Sequence, residues 1–456
     1  FQKGLRPRVK YQYIPRSTTK DNKKRKELAN QWGQWTLKDP KADQRPKDNF
    51  ADLFPNRDIP WDQFPPNSWQ TDQEYLSKFL PEAKAHVERS IEAILAEYEW
   101  SKFDNPGKNL DERLQGTSFQ IEHINMTETD PKERREFLGH TLGGWVSQEY
   151  FDGLVRRLMH ALITEDTFTL IMGGHSAAAG HGNHFHQSYT LQFHKVMEPI
   201  FARLGLKLSS HNIAYGGLGT MQTSLGAGDL YGKEIDILVW DSKMTENANE
   251  PYDLFVRQAY FSGNRIPVLM GGMVAVLKDL NMQFGAEVGM FGTGNDGVPE
   301  LKNPKDADKI PWAARYMKCD PELKSLCREM EYNGTCWIDR PDYTPTTKQK
   351  EVPGGRASWH PGFRQHATRG RIIAMTVLRA LLRGLSMWDE SAGKKLPEEV
   401  WHVTDHYEKL RTGLKAIKPE DSFCHQHKTL TPKTFCDVPF NVSQYLQIFY
   451  FVICTR

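Results

Sequence analysis

Thr167–Gly182 reads TFTLIMGGHSAAAGHG. An apolar run rich in β-branched residues, Thr167 to Met172, stops at Gly173-Gly174, and His175-Ser176 follow. Small residues and Gly180 come next, ahead of a segment with helical patterning. A buried strand that ends in glycines and passes into a helix is where α/β proteins expose reactive groups. The strand's carboxyl end opens into a crevice, and the helix start leaves backbone N–H groups free. Ser176 stands at that junction between residues too small to shield it, which makes it the candidate nucleophile.

Downstream, strand and helix patterns alternate, the signature of a parallel sheet with helices on both faces. A helix is expected over His186–Leu204 and a strand over Leu206–Ala214, followed by the glycine-rich loop Tyr215–Gly228. Ile235–Trp240 reads as the next strand, Tyr252–Phe261 as a helix and Arg265–Gly272 as another buried strand. Gly285–Pro311 reads as a long loop and Trp312–Arg340 as a cysteine-bearing insert. Ser358–Leu385 follows, and its second half, Ile372–Leu385, has the composition of a core helix. Upstream, helical spacing begins near Pro81, and Phe137–Leu162 reads as one or two helices leading into the strand at Thr167. The expected fold is therefore α/β: a three-layer α/β/α domain around a central parallel sheet over 166–390, with an insert at 285–345. A polar arm (1–80), a helical lead-in (81–165) and a cysteine-bearing extension (391–456) complete the expected organisation.

Bulk composition narrows the function classes. A formal charge of +2 on 456 residues gives no global field for nucleic acid or an anionic membrane. No apolar run is long enough for a membrane span, and Tyr445–Cys454 is too short. Lys20–Lys26 (KDNKKRK) lies in an arm that reads as solvated and is the place where a protein partner would dock. Trp32, Trp35, Trp61 and Trp69 suggest that the arm is held to the main body by aromatics. The chain begins at Phe1, as expected if a leader has been removed. Asn125, Asn333 and Asn441 stand in N-x-S/T sequons. Cys319, Cys327, Cys336, Cys424, Cys436 and Cys454 make an even set without a C-x-x-C pair, which suits disulfides better than zinc. Together these features point to a secreted protein or one of the secretory lumen.

Three pieces, in this order, resemble the SGNH (GDSL-like) hydrolase superfamily over roughly residues 165–385. Gly174-His175-Ser176 with Gly180 is similar to the first block, which holds the nucleophilic serine. Asn212 with Gly216, Gly217 and Gly219 is similar to the second, whose glycine N–H helps to form the oxyanion hole. Trp359-His360-Pro361, just before a long helix, is similar to the last block, D-x-x-H, which supplies the base. The chain departs from the family at three points. His175 replaces the Asp before the serine, and Ala357 stands where the last block has its Asp. The third block, G-x-N-D, is replaced after the Ile235–Trp240 strand by DSKMTEN (Asp241–Asn247). An Asn-Asp pair behind glycines does occur later in the chain, within Gly292-Thr293-Gly294-Asn295-Asp296, with Thr293 where the block has its glycine.

The resemblance implies a serine esterase or acyltransferase acting on an ester, with an acylated carbohydrate as the expected substrate and no cofactor. Ser176 and His360 would be the catalytic pair, and the backbone of Ser176 and Gly217 with the Asn295 side chain would hold the oxyanion. His366 is the alternative base, and Asp339 or Asp342 are sequence candidates for a supporting carboxylate. Two rivals stay open. One is a catalytically inactive member of the fold with a binding or structural role. The other is a metal enzyme built on His175, His181, His184, His186 and His194, although no acidic residue or Cys accompanies them at ligand spacing. The loop Tyr215–Gly228 lacks the G-x-x-x-x-G-K-[ST] pattern of a phosphate cradle. Arg364, Arg369 and Arg371 are expected in surface ion pairs, or facing an anionic substrate.

Overall fold

The computed structural model describes residues 69–124, 144–271, 290–292 and 363–412, apart from short breaks within them. The strands are β1 (Ile121–Ile124), β2 (Gly144–Ser147), β3 (Thr167–Gly174), β4 (Lys207–Asn212), β5 (Ile237–Asp241), β6 (Val268–Met270) and β7 (Met290–Gly292). They form one sheet in the order β1-β2-β7-β6-β5-β3-β4. The five strands from β7 to β4 are parallel to their neighbours. β2 joins β7 antiparallel, and β1 lies parallel to β2. Such a run is the α/β class expected from the alternation of patterns.

The order fixes where a site can form. From β3 the chain moves outward to β4, then returns to β3's other side for β5 and continues away through β6 and β7. Between β3 and β5 the connections leave in opposite directions, the switch point beyond whose strand carboxyl ends open α/β sheets bind ligands. Register puts Gly174, the last residue of β3, opposite Asp241, the last of β5.

Helices α1 (Gln73–Glu97), α2 (Leu110–Leu114), α3 (Gln148–Thr164), α4 (Tyr189–Arg203), α5 (Thr220–Leu225), α6 (Asn249–Ser262), α7 (Phe363–Glu390) and α8 (Glu398–Trp401) accompany the sheet. Alternate strand residues enter different apolar clusters, as the two-residue period of a strand demands. Leu170, Met172, Ile237 and Val239 join a large cluster that includes residues of α1, α3, α4 and α7. Ile171, Leu238, Trp240 and Leu269 join a smaller one with Tyr252, Phe255 and Val256 of α6. Ile372–Leu385 is core, as its composition implies: Ile372, Met375, Leu378 and Leu381 are all buried.

Several local expectations are corrected. Helix α1 starts at Gln73, not near Pro81, which lies inside it. The start signal is Asp72, whose Oδ1 accepts from the N–H groups of Glu74 and Tyr75 at 3.0 Å each. Trp69 is buried against Tyr75, Phe79 and Trp388, so this part of the expected arm is anchored by aromatics. Gly144–Ser147, expected within a helix, is strand β2, and Met290–Gly292, expected within a loop, is β7. Both segments are too short to show a period of their own, and pairing with each other decides their conformation. The six cysteines, the three sequons, Lys20–Lys26 and the other arm tryptophans lie outside the described residues.

Candidate active site

Ser176 follows β3 in a tight turn. The His175 N–H donates to the Asp241 carbonyl (3.0 Å), and the Ala179 and Gly180 N–H groups return to the carbonyls of His175 and Ala177 (3.0 Å each). Gly174 is required here, because a Cβ would stand 2.5 Å from the Asp241 carbonyl oxygen and 2.9 Å from Ala178 Cβ. Gly180 closes the turn in the left-handed region, φ +82°. Ser176 itself is half-buried while His175 and Ala177 are buried, so the turn leaves the hydroxyl-bearing residue as its more open member.

His175 is used locally. Its Nδ1 accepts from the Ala177 N–H at 3.0 Å, which places the proton of the neutral ring on Nε2. The loop after β4 is tied to the same turn. The Ile213 and Tyr215 N–H groups donate to the carbonyls of Met172 (3.0 Å) and Gly174 (2.9 Å). Asn212 Nδ2 donates to the Ala178 carbonyl at 2.9 Å, and its Oδ1 accepts from the Ala214 N–H at 3.2 Å. Gly216 then lies against Ser176: a Cβ there would sit 3.5 Å from Ser176 Cβ. Gly217 is exposed with φ +81°, and nothing would meet a Cβ within 4 Å. Ser176 and Gly216–Gly217 thus share one edge of the sheet, with Asn212 as the tie between their loops.

Asp241 faces this edge from β5. Its Oδ2 accepts from the Tyr189 hydroxyl at 2.7 Å and from Arg369 Nη1 at 3.4 Å. The Arg369 guanidinium also lies over the Tyr189 ring, 5.4 Å from its centroid. His366 stacks on the same tyrosine, with ring centroids 5.6 Å apart and planes 15° apart. The Tyr189 N–H donates to His366 Nδ1 at 3.2 Å. The start of α4 and the start of α7 are therefore fastened together at the carboxyl edge of β5.

The expected arginine pairs are corrected: Arg369 and Arg371 are buried, not on the surface. Arg371 Nη1 donates to Gln192 Oε1 at 3.3 Å. The Arg364 side chain, His360, Asn295, Asp339 and Asp342 lie outside the described residues. His366 is fully buried and engaged with Tyr189, an arrangement that suits holding two helices rather than reaching a substrate. Of the histidine cluster, His181, His184 and His186 are also outside the described residues. His194 pairs with Ser210 Oγ at 3.1 Å, and burial holds its imidazole below the ordinary histidine range. Among the described residues no group of three His, Cys, Asp or Glu is placed to hold a metal ion. Nor is any described helix long and apolar enough to cross a membrane.

The Asp241–Tyr189–Arg369 group is not visible in the sequence pattern. Its one local signal is a carboxylate ending a buried run, ILVWD. Comparison of the chain with protein-family models, curated proteins and solved structures finds no match.

Proposed function

We propose that the chain is a serine esterase or acyltransferase on a three-layer α/β/α domain of the SGNH type. The observation that carries this reading is the position of Ser176, at the carboxyl end of β3 beside the β3/β5 switch point, with Gly216 against it. The strand order supports the family assignment, and the two apolar clusters on alternate strand residues support helices on both faces. Ser176 Oγ attacks the ester carbonyl carbon while its proton passes to the imidazole of His360. The N–H groups of Ser176 and Gly217 receive the developing oxyanion, each contributing about 3 kcal/mol when well aimed. Asn295 is the third donor on this reading. The imidazole returns its proton to the departing alcohol, and water or an acceptor alcohol then takes the acyl group from the serine.

His360 stands six positions ahead of His366 in the chain. His366 and Arg369 fasten the start of α7 to Tyr189 and Asp241, so the first turns of that helix lie at the edge that holds Ser176. That supports His360 as the base and assigns His366 to support. The sequons and the even cysteine count favour the secretory lumen, and an acylated carbohydrate remains the proposed ester. Labelling with a fluorophosphonate tests the reading. Modification of Ser176, lost in Ser176→Ala and in His360→Ala, is expected. No labelling at any pH from about 5 to 9 sinks it in favour of a binding protein that keeps the fold.

A further inference from the structure

The loop tied to the Ser176 turn carries the most exposed large apolar side chain among the described residues, Tyr215, which is 67% exposed. A single exposed tyrosine needs no explanation by itself. Two observations set this one apart. Its backbone is held still: the Tyr215 N–H donates to the Gly174 carbonyl at 2.9 Å, the Ile213 N–H to the Met172 carbonyl at 3.0 Å, and Asn212 Nδ2 to the Ala178 carbonyl at 2.9 Å. The next residue, Gly216, is the one that lies against Ser176, so the Tyr215 Cα is about 3.8 Å along the chain from that contact. No ring contact or side-chain hydrogen bond among the described residues engages the phenol. Gly216 and Gly217, also exposed, put no side chain beside it.

We propose that Tyr215 is a platform for the pyranose ring that carries the ester, and that its flat face selects carbohydrate esters. The inference rests on the esterase reading above and supplies it with a substrate contact. At that exposure the ring offers an apolar face open to water, not a walled pocket. An alkyl or aryl group laid on it would keep its other face in water and lose much of the gain from burial. A pyranose ring suits a single face better. Its axial C–H groups pack on the tyrosine, while its hydroxyls, at the rim and on the far side, keep their water. The fixed backbone lowers the ordering cost of the contact, and the glycines leave room for neighbouring sugar units.

The competing role is an exposed side chain that no substrate touches. Binding is read on the full chain carrying Ser176→Ala, by saturation-transfer NMR with mono-acetylated methyl pyranosides of glucose, xylose, galactose and mannose. Transfer to the C–H protons of one ring face is expected. Tyr215 is exposed, so its substitution should leave the fold intact. Tyr215→Ala should weaken affinity about tenfold or more, and Tyr215→Phe should stay within about twofold. Tyr215→Leu, which keeps apolar area but not the plane, should resemble Tyr215→Ala. Unchanged affinity in Tyr215→Ala overturns the proposal, as does Tyr215→Leu binding as well as Tyr215→Phe. Transfer to none of the glycosides also overturns it, and so does Tyr215-dependent binding confined to 4-nitrophenyl acetate. With Ser176 restored, the same substitutions should act chiefly through KM for the acetylated glycosides. Sugars that bind through Tyr215 but are never hydrolysed count against the esterase reading and leave the platform standing.

Discussion

The two ends of the parallel strands use their polar groups in opposite ways. At the amino ends of β3 and β5, Asp236 is buried and saturated. It accepts from the Thr169 N–H (2.7 Å), pairs with Arg157 Nε (3.1 Å) and takes Arg265 Nη1 on both oxygens (3.0 and 3.1 Å). Arg265 goes on to Asp166, to Glu234 (3.0 Å) and to the Thr167 carbonyl (3.3 Å). At the carboxyl ends, Asp241 has two donors on one oxygen, and the loops beside it are glycine-rich and partly open. A buried carboxylate engaged on both oxygens locks strands together. One engaged on a single oxygen beside a half-buried turn has capacity left for a ligand or a reaction. The sheet is thus fastened at one end and open to chemistry at the other, which matches the way α/β proteins bind at strand carboxyl ends.

The largest expected effect breaks the fastened end. Burial pushes the Asp236 carboxyl up, against the opposing pull of Arg157 and Arg265, and burial holds the Arg157 guanidinium down at about 10. Asp236→Ala leaves Arg157 buried without its counter-charge and should cost about 3–5 kcal/mol. Urea unfolding measures the loss. If the ends are separate in function, the folded fraction at low temperature should still label at Ser176 at the wild-type rate. A labelling rate that falls in step with stability would mean that the two ends are coupled.

A pH titration sharpens the same contrast. Helix α4 runs from Tyr189 at the carboxyl edge to Arg203, and near its far end the Ile200 carbonyl sits 3.2 Å from His86 Nε2. Burial holds the His86 imidazole down at about 4, with the Ile200 bond pulling the other way and nearby arginines adding to the depression. Below an unfolded value near 6.5 the unfolded chain takes up the proton first. Stability present above that value is therefore lost as pH falls from about 6.5 toward 4, on the order of 3 kcal/mol. His86→Gln removes that contribution, so the loss of unfolding free energy between about pH 7 and pH 4.5 should shrink by about 2–3 kcal/mol. His123, His160 and His194, also lowered by burial, leave a shallower slope of the same sign. An identical slope in the variant would show that His86 does not carry it.

What the sequence discloses follows the range of the interactions involved. Strand β3, its terminal glycines and the Ser176 turn are legible because they are made by residues within a few positions of one another. The core half of α7 is legible for the same reason. Strands β2 and β7 are not, since four and three residues carry no periodicity and pair across the sheet. Pro81 looks like a first helical residue of α1, whereas the Asp72 cap and the Trp69 aromatic cluster decide where that helix starts. At the site, Ser176 and Gly216–Gly217 follow from local pattern. Arg369 reads as a surface residue because its counter-charge, Asp241, is 128 positions away, and Tyr189 is 52 positions from that carboxylate. Asn212 reads only as part of a glycine block, when its side chain is the tie between two loops.

The smallest expected effect compares two glycines in α7, one near each end of the sheet. At Gly370, beside Arg369, a Cβ would meet the Phe193 backbone nitrogen at 2.8 Å, the Tyr189 carbonyl oxygen at 2.9 Å and Gln192 Cβ at 2.8 Å. Those are atoms of the helix α4 backbone and its first side-chain carbon, so only separation of the helices relieves the clash. At Gly384 a Cβ would meet Met159 Sδ at 2.5 Å and Cγ at 2.6 Å. A methionine side chain can change rotamer to make room. Both substitutions by Ala gain up to about 1 kcal/mol of helix propensity. Gly370→Ala should nevertheless cost about 1–3 kcal/mol from overpacking, and Gly384→Ala should fall within about 1 kcal/mol of neutral. The functional consequence should differ more than the stability. Pushing α7 off α4 at Gly370 pulls His366 from the Tyr189 N–H and Arg369 from Asp241, so Ser176 labelling should slow in Gly370→Ala and hold in Gly384→Ala. Equal labelling rates in both would mean that the fastening of α4 to α7 does not position the reacting groups, and that the carboxyl edge owes its geometry to the strand ends alone.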